Sequence, residues 1–245
     1  MLKEEKGAGI APGSLAPQHF LPRLRGKFGR HYRYLGVVSS TQDVLREWAG
    51  AAPGAVVAAE QQTCGRGRLG RRWESPPGNL YFSVLLTTEV DSLLPLRAGV
   101  ALREAACVGK LKWPNDLLAP DGRKLAGILI ERCGERVLLG VGINVEVAPF
   151  PTAAALSEFR EVHRAQLLAD FLWALEEWLA EKPELVLTTW KEANATLGKP
   201  LRVRVGEKVV EGVGVDIGPR GELLLRTSDG VCAVHAGEIE TVNPG

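Results

Sequence analysis

The chain of 245 residues is 45% hydrophobic and balances 30 Lys and Arg against 29 Asp and Glu. This suits one large domain, or one domain with a small appendage, and excludes a protein held to nucleic acid by a global basic field. Cys64, Cys107, Cys133 and Cys232 form no C-x-x-C pair and the four histidines are scattered, which argues against a metal–thiolate site; no apolar run reaches the ~18 residues of a membrane span and the N-terminus lacks a signal-peptide core, so a cytoplasmic protein without membrane partners is expected.

Residues 1 to about 30, rich in Gly, Pro and charge, read as a loosely ordered extension with at most one short element. From YRYLGVV onward, strand-like and helix-like runs alternate. The best strands are VVAAE (56 to 60), NLYFSVLL (79 to 86), KLAGILIE (124 to 131) and RVLLGVGINV (136 to 145), by β-branched and aromatic content and bounding turn residues. Helices are expected at 42 to 49, at 95 to 108 with Pro95 in the first turn, at 161 to 181 and at 184 to 195. After LGKP (197 to 200) come short alternating strands punctuated by glycine, the texture of a small β-barrel too small to stand without the main domain. The divisions expected are an extension (1–30), a catalytic domain (31–197) and a C-terminal domain (198–245).

GRGRLGRRW (65 to 73) contains a G-x-G-x-x-G match threaded with arginines. A dinucleotide-binding turn must open a helix, but Pro76, Pro77 and Gly78 follow and NLYFSVLL resumes as strand, so that reading fails on context. No kinase H-R-D or D-F-G and no G-K-[ST] phosphate loop follows. What remains is a flexible loop whose guanidinium forks and backbone N–H groups can fold over an anion, or else an ordinary solvated basic loop.

Three further stretches, KWPND (112 to 116), RKLAGILIE (123 to 131) and GVGIN (140 to 144), follow that loop in order, and SST (39 to 41) precedes it. Together with EQQTCGRGRLGRRW (60 to 73), this series closely resembles the biotin–protein ligases over roughly residues 35 to 145, the barrel fitting more loosely. The resemblance implies an α+β catalytic domain related to class II aminoacyl-tRNA synthetases and lipoyl ligases, with a small SH3-like C-terminal domain. It implies activation of biotin by Mg-ATP to biotinyl-5′-AMP, then transfer to a lysine of the biotin carboxyl carrier protein of acetyl-CoA carboxylase.

By the same resemblance Gly65, Arg66, Gly67 and Arg68 line biotin and hold carboxylate and phosphate, Arg66 and Lys124 being the catalytic cations. Lys124 bridges the biotin carboxyl and the α-phosphate, Gly127 allows close approach of ligand, and Ser40, Thr41, Gln42 and Gln62 meet the ureido ring. ATP falls to Arg68, Arg71, Trp73, Lys112, Asn115, Asp116 and Asn144, with Asp116 and Asn144 as Mg²⁺ ligands. The loop at 64 to 73 is then a lid that orders over its substrate. Two local readings stand beside these: S-T-Q-D (40 to 43) also fits a helix capping box, and Asn-Asp after Pro114 is also ordinary turn chemistry. Trp113 reads as core, and Ala154 and Ala155 depart from the family pattern near the adenine-side loop.

About 30 residues precede the first catalytic strand, too few for the winged DNA-binding domain of some relatives, so a ligase without repressor activity or specific DNA binding is expected. An exposed edge strand would pair two copies as a homodimer. The rival on the same fold is a lipoyl or octanoyl ligase, whose R-R-x-x-G-G-G is absent. The rival from another class is an RNA-binding module, which would want aromatics on the barrel strands, and residues 201 to 245 contain none.

Overall fold

The structure is a computed structural model that describes residues 14–87 and 90–240. Seven strands make the main sheet: β1 (Tyr32–Val38), β2 (Val56–Gln62), β3 (Leu80–Thr87), β4 (Lys110–Lys112), β5 (Asp116–Leu118), β6 (Lys124–Cys133) and β7 (Arg136–Ile143). Their order is β1-β2-β3-β7-β6-β5-β4, with β1 and β2 parallel and every other neighbouring pair antiparallel. The helices are α1 (Pro17–Phe20), α2 (Thr41–Glu47), α3 (Leu94–Ala106), α4 (Arg164–Ala180) and α5 (Pro183–Glu192). This is the α+β arrangement expected.

Strand alternation sends Phe82, Val84, Val56, Ala58, Leu139 and Val141 to one face, where they share a core with residues of α3 and α4. Val57, Leu85 and Leu138 point the other way and pack against Leu45 and Trp48 of α2. That second apolar patch is small, and beyond it this face of the sheet is left open for a site. α3 stops where Cys107 turns left-handed (φ 54°) and its N–H returns to the carbonyls of Arg103 and Glu104.

Four expectations change. The capping box at 40 to 43 does not form: Ser40 is the N-cap of α2 but makes no side-chain capping bond, because the Asp43 carboxylate is drawn to arginines instead. The short strands β4 and β5, on either side of the cis Trp113–Pro114 bond, were not expected, since three residues carry no readable period. Residues 14 to 30 are not a loose extension. Leu15 and Phe20 are fully buried, Leu24 is nearly so, the Tyr32 hydroxyl donates to Leu15 O at 2.8 Å, and the Glu176 carboxylate accepts from the N–H groups of Lys27 and Phe28. Residues 1–13 of the expected extension lie outside the described residues.

The fourth concerns the C-terminal strands β8 (Pro200–Val205), β9 (Lys208–Ile217), β10 (Leu223–Thr227), β11 (Gly230–Val234) and β12 (Glu238–Glu240). They form an antiparallel sheet in order β11-β10-β9-β8-β12, consistent with an SH3-like unit. Among the described residues no pairing closes β11 onto β12 into a barrel. Buried Trp113 ties this sheet to the main one: its N–H donates to Thr196 Oγ1 and its Nε1 to Gly221 O, both at 2.9 Å, so it is core as expected. No helix among the described residues is long and apolar enough to cross a membrane.

Candidate active site

The open face of β6 and β7 is floored by glycine. A Cβ at Gly142 would lie 2.5 Å from the Trp73 ring, one at Gly127 3.0 Å from the same ring, and one at Gly140 2.9 Å from Gln42 Cδ. Glycine inside a strand weakens it and marks where another group must approach the backbone closely. Here the approaching groups are the indole of Trp73 and the side chain of Gln42, whose Nε2 donates to Leu129 O and Leu138 O. Above this floor opens a concave pocket walled by α2, the 65–73 segment and the strands β6 and β7, the kind of cleft in which ligands bind.

One end of the pocket is polar, neutral and internally bonded. Gln62 Oε1 accepts from the Thr41 N–H at 2.9 Å and from Thr41 Oγ1 at 3.2 Å, while its Nε2 donates to Ser75 Oγ at 3.1 Å. The Thr41 and Ser83 hydroxyls are 2.8 Å apart. Ser40 lines the pocket beside them, its hydroxyl uncommitted to a cap.

The other end is cationic. Residues 65 to 73 fold as a tight hairpin over the pocket: Trp73 N–H donates to Gly65 O at 2.9 Å and Gly67 N–H to Arg71 O at 2.7 Å, with Leu69 (φ 55°) and Gly70 (φ 72°) turning the tip. Gly65 is required, since a Cβ there would meet Trp73 O at 2.4 Å. The pocket wall carries Arg66, Arg68, Arg71, Arg72 and Lys124 against a single acid, Glu74. Their guanidinium groups are placed differently. Arg66 gives both Nη groups to Asp43 (2.7 and 2.8 Å) and reaches Glu131 at 3.3 Å. Arg71 pairs with Glu238 and Arg72 with Glu74. Arg68 has no carboxylate within ion-pair distance among the described residues; it donates to Gly237 O at 3.0 Å and Asn115 Oδ1 at 3.3 Å. Burial pulls its pKa below the usual arginine value, yet a guanidinium stays charged. It is a cation short of an anion.

Lys124 Nζ lies 2.7 Å from Asp116 Oδ1 and 5.2 Å from the centre of the Trp73 ring. Asn144, almost fully buried, donates from Nδ2 to Lys124 O at 3.2 Å, and its Oδ1 has no partner. The loop behind Asn144 is held by Asn79, whose Oδ1 accepts the N–H groups of Val145, Glu146 and Val147 at 2.8 to 3.0 Å. A neutral cleft at one end and, at the other, an arginine without a carboxylate beside an orphaned oxygen suit a ligand that is polar and uncharged at one tip and anionic at the other.

Comparison with known proteins gives this architecture a family. Residues 34–147 match the Biotin/lipoate A/B protein ligase family and residues 196–242 the Biotin protein ligase C terminal domain. The bifunctional ligase/repressor BirA of Bacillus subtilis is 32% identical, the match covering 94% of this chain and 80% of that protein. The chain belongs to the biotin protein ligase family. The biotin–[acetyl-CoA-carboxylase] ligase of Mycobacterium tuberculosis is 33% identical over 86% of this chain and 90% of its own. The biotin protein ligase of Aquifex aeolicus, solved in complex with biotin and ATP, superposes with a TM-score of 0.78 at 31% identity, covering 86% of this chain and 98% of that one.

Within this biotin protein ligase fold, the pocket gathers Ser40, Thr41, Gln42, Gln62, Arg66, Gly67, Arg68, Arg71, Trp73, Asn115, Lys124, Gly127 and Asn144 from segments more than a hundred residues apart. Gly65 lies at the hairpin base. Lys112 and Asp116 do not line the pocket: Lys112 Nζ donates to Ile239 O at 3.4 Å, burial lowering its pKa, and Asp116 stands behind Lys124. Gly127 makes room for the Trp73 ring and the Lys124 side chain. Motif reading missed Asp43, Glu131, Ser75, Ser83 and Asn79. Only Asp43 left a trace, as an acid in the first turn of a predicted helix, and that trace pointed to capping.

Proposed function

We propose that this chain joins biotin to ATP, forming biotinyl-5′-AMP, and then transfers biotin to a lysine of a biotin carboxyl carrier protein. In the first step a biotin carboxylate oxygen attacks the α-phosphorus and pyrophosphate leaves. In the second the uncharged acceptor amine attacks the anhydride carbonyl, AMP leaves, and the amine proton is lost. The observation that carries this reading is the two-ended pocket. The ureido ring offers two N–H donors and one acceptor, which suit Ser40, Thr41, Gln42 and Gln62. Carboxylate and triphosphate together need fixed positive charge, which Lys124 and Arg68 supply without reorganising at the moment of reaction.

Lys124, next to the Asn144 loop, is placed to bridge the two reacting anions. Arg68, Arg71 and, from further off, Lys112 serve the phosphates. Of the two expected Mg²⁺ ligands, Asn144 fits a hard cation, its Oδ1 having no partner among the described residues, whereas Asp116 stands off the pocket and is ion-paired to Lys124; Mg²⁺ would be held by Asn144, phosphate oxygens and its own waters. Bound there, the ion would neutralise triphosphate charge. Trp73 and the hairpin exclude water from the mixed anhydride. A cytoplasmic enzyme that pairs two copies through an edge strand completes the reading.

The test is ATP–pyrophosphate exchange. Exchange should require biotin, because adenylation reverses until the acceptor arrives. Exchange driven by lipoate and not by biotin would move the assignment to a lipoyl ligase.

A further inference from the structure

Four side chains beneath the hairpin make a closed ionic ring. Arg66 pairs with Asp43 and Glu131, and Arg46 pairs with the same two carboxylates. Asp43 and Arg46 belong to α2, the helix that opens with Thr41 and Gln42 at the neutral end of the pocket. Glu131 stands on β6, beyond Gly127 and Leu129 of the pocket wall. Arg66 is the one member that comes from the hairpin. Without it, two carboxylates share the single guanidinium of Arg46, leaving a net charge of −1 facing the loop; with it the ring is neutral. Each side chain keeps between a quarter and a third of its surface exposed, so the attraction is reduced by water and salt but not abolished.

We propose that Asp43 and Glu131 are a docking clamp for the hairpin, and that Arg66 is a positioning residue which seats the lid on the biotin-pocket helix instead of touching the reacting atoms. Both Nη groups of its guanidinium are spent on Asp43, with Glu131 as a third acceptor, whereas Arg68, one residue beyond Gly67, is the loop arginine left free of carboxylates. The division is chemical: the clamp pulls Arg66 outward, and the Gly65–Trp73 backbone pairing then fixes Trp73 over the glycine floor and Arg68 at the phosphate end. Because α2 carries Asp43 of the clamp as well as the ureido contacts Thr41 and Gln42, a shift of that helix on ligand binding moves one half of the anchor of the lid against Glu131 on β6.

This inference rests on the proposed adenylation for its second readout but not for its first. The first is hydrogen exchange of residues 64 to 73 in the ligand-free protein, compared between wild type, Asp43→Asn, Asp43→Asn/Glu131→Gln and Asp43→Glu. The amides of Gly67 and Trp73 should exchange about five- to fiftyfold faster in the double variant, the range of a partly screened charge-assisted contact, and Asp43→Glu should restore most of the protection. Raising salt should speed exchange in the wild type and leave the double variant nearly unchanged. The second readout is retention of preformed biotinyl-5′-AMP, seen as labelling of bystander lysines, which should rise in the double variant in proportion. Wild-type exchange in the double variant, or equal salt sensitivity in both, overturns the clamp. If the wild type forms no adenylate, the proposed function falls while the exchange data still decide the clamp. A melting temperature within a degree or two of wild type shows that the fold is unaffected; for a variant that melts lower, exchange is read relative to core amides of α4.

Discussion

The two ends of the pocket satisfy their polar groups in opposite ways. At the Thr41–Gln62 end, the donors and acceptors are paired among Thr41, Gln62, Ser75 and Ser83, and the atoms are held by the start of α2, the end of β2, the middle of β3 and the loop before it. At the Arg68–Lys124 end the cations outnumber the acids, Arg68 has only neutral acceptors, and Asn144 Oδ1 has none. A neutral network that is complete before ligand arrives costs little to maintain and holds one shape. An incomplete charged one stores unfavourable desolvation that an anion relieves. On the proposed function, recognition falls to the internally satisfied end and reactivity to the end that lacks an anion.

Exchanging those roles by mutation is the most direct way to break the contrast. Lys124→Ala should give the largest effect on chemistry. Removing one charged hydrogen bond costs about 1.5–3 kcal/mol, roughly ten- to hundredfold, and transition-state charge adds to it, so biotin-dependent pyrophosphate exchange should fall by at least a hundredfold. Asp116 is then left without its cation, so some stability is lost too. Lys124→Ala/Asp116→Asn should recover the stability but not the exchange, and recovery of exchange in the double variant would take Lys124 out of the chemistry.

Gln62→Leu should do the reverse at the other end. It leaves the Thr41 N–H without its acceptor and takes one of two partners from the Ser75 hydroxyl, which still donates to Trp73 O, a cost of about 1–3 kcal/mol, and lowers the melting temperature by roughly 2–4 °C per kcal/mol for a chain of this size. KM for biotin should rise at least tenfold with a smaller change in kcat. A melting temperature and KM both equal to wild type would show that the neutral cluster is not a preformed recognition surface.

The smallest expected effect concerns pH. Hydrogen bonding from Arg66, reinforced by Arg46, holds the Asp43 carboxyl below its ordinary value of 3.8. A depressed carboxylate contributes stability that is fully present above its unfolded pKa and lost only as pH falls through the lower folded value. Exchange protection of the hairpin should therefore be constant from pH 6 to 8 and decline only below about 4. A loss of protection between pH 6 and 7 would point to a histidine, and so to a different anchor.

Much of the site was legible because its chemistry is concentrated in short motifs. The arginines of GRGRLGRRW and the lysine of KLAG had to be cations, and of the strand glycines Gly127 reads as admitting ligand close to the backbone, while Gly140 and Gly142 carry no such reading. What they admit was not legible. Gly127 and Gly142 receive the ring of Trp73, more than fifty residues earlier in the chain, and no local pattern records that. The capping reading at 40 to 43 failed for a related reason: a carboxylate in the first helical turn is drawn to the stronger of two partners, and a bidentate arginine from 23 residues away outweighs a backbone N–H.

The apolar alternation of the strands, the proline and glycine punctuation and the excess of fixed cations in one loop are local properties, determined along the chain before any packing. They set the α+β class, the position of the arginine hairpin and its cationic character. Tertiary structure alone decided which arginine is free. Arg66 and Arg68 are chemically identical and two residues apart; only the approach of α2 and β6 gives one of them two carboxylates and leaves the other buried beside neutral carbonyl oxygens. Side-chain charge belongs to the sequence, but its compensation depends on distances of a few ångströms, and those exist only after the chain has folded.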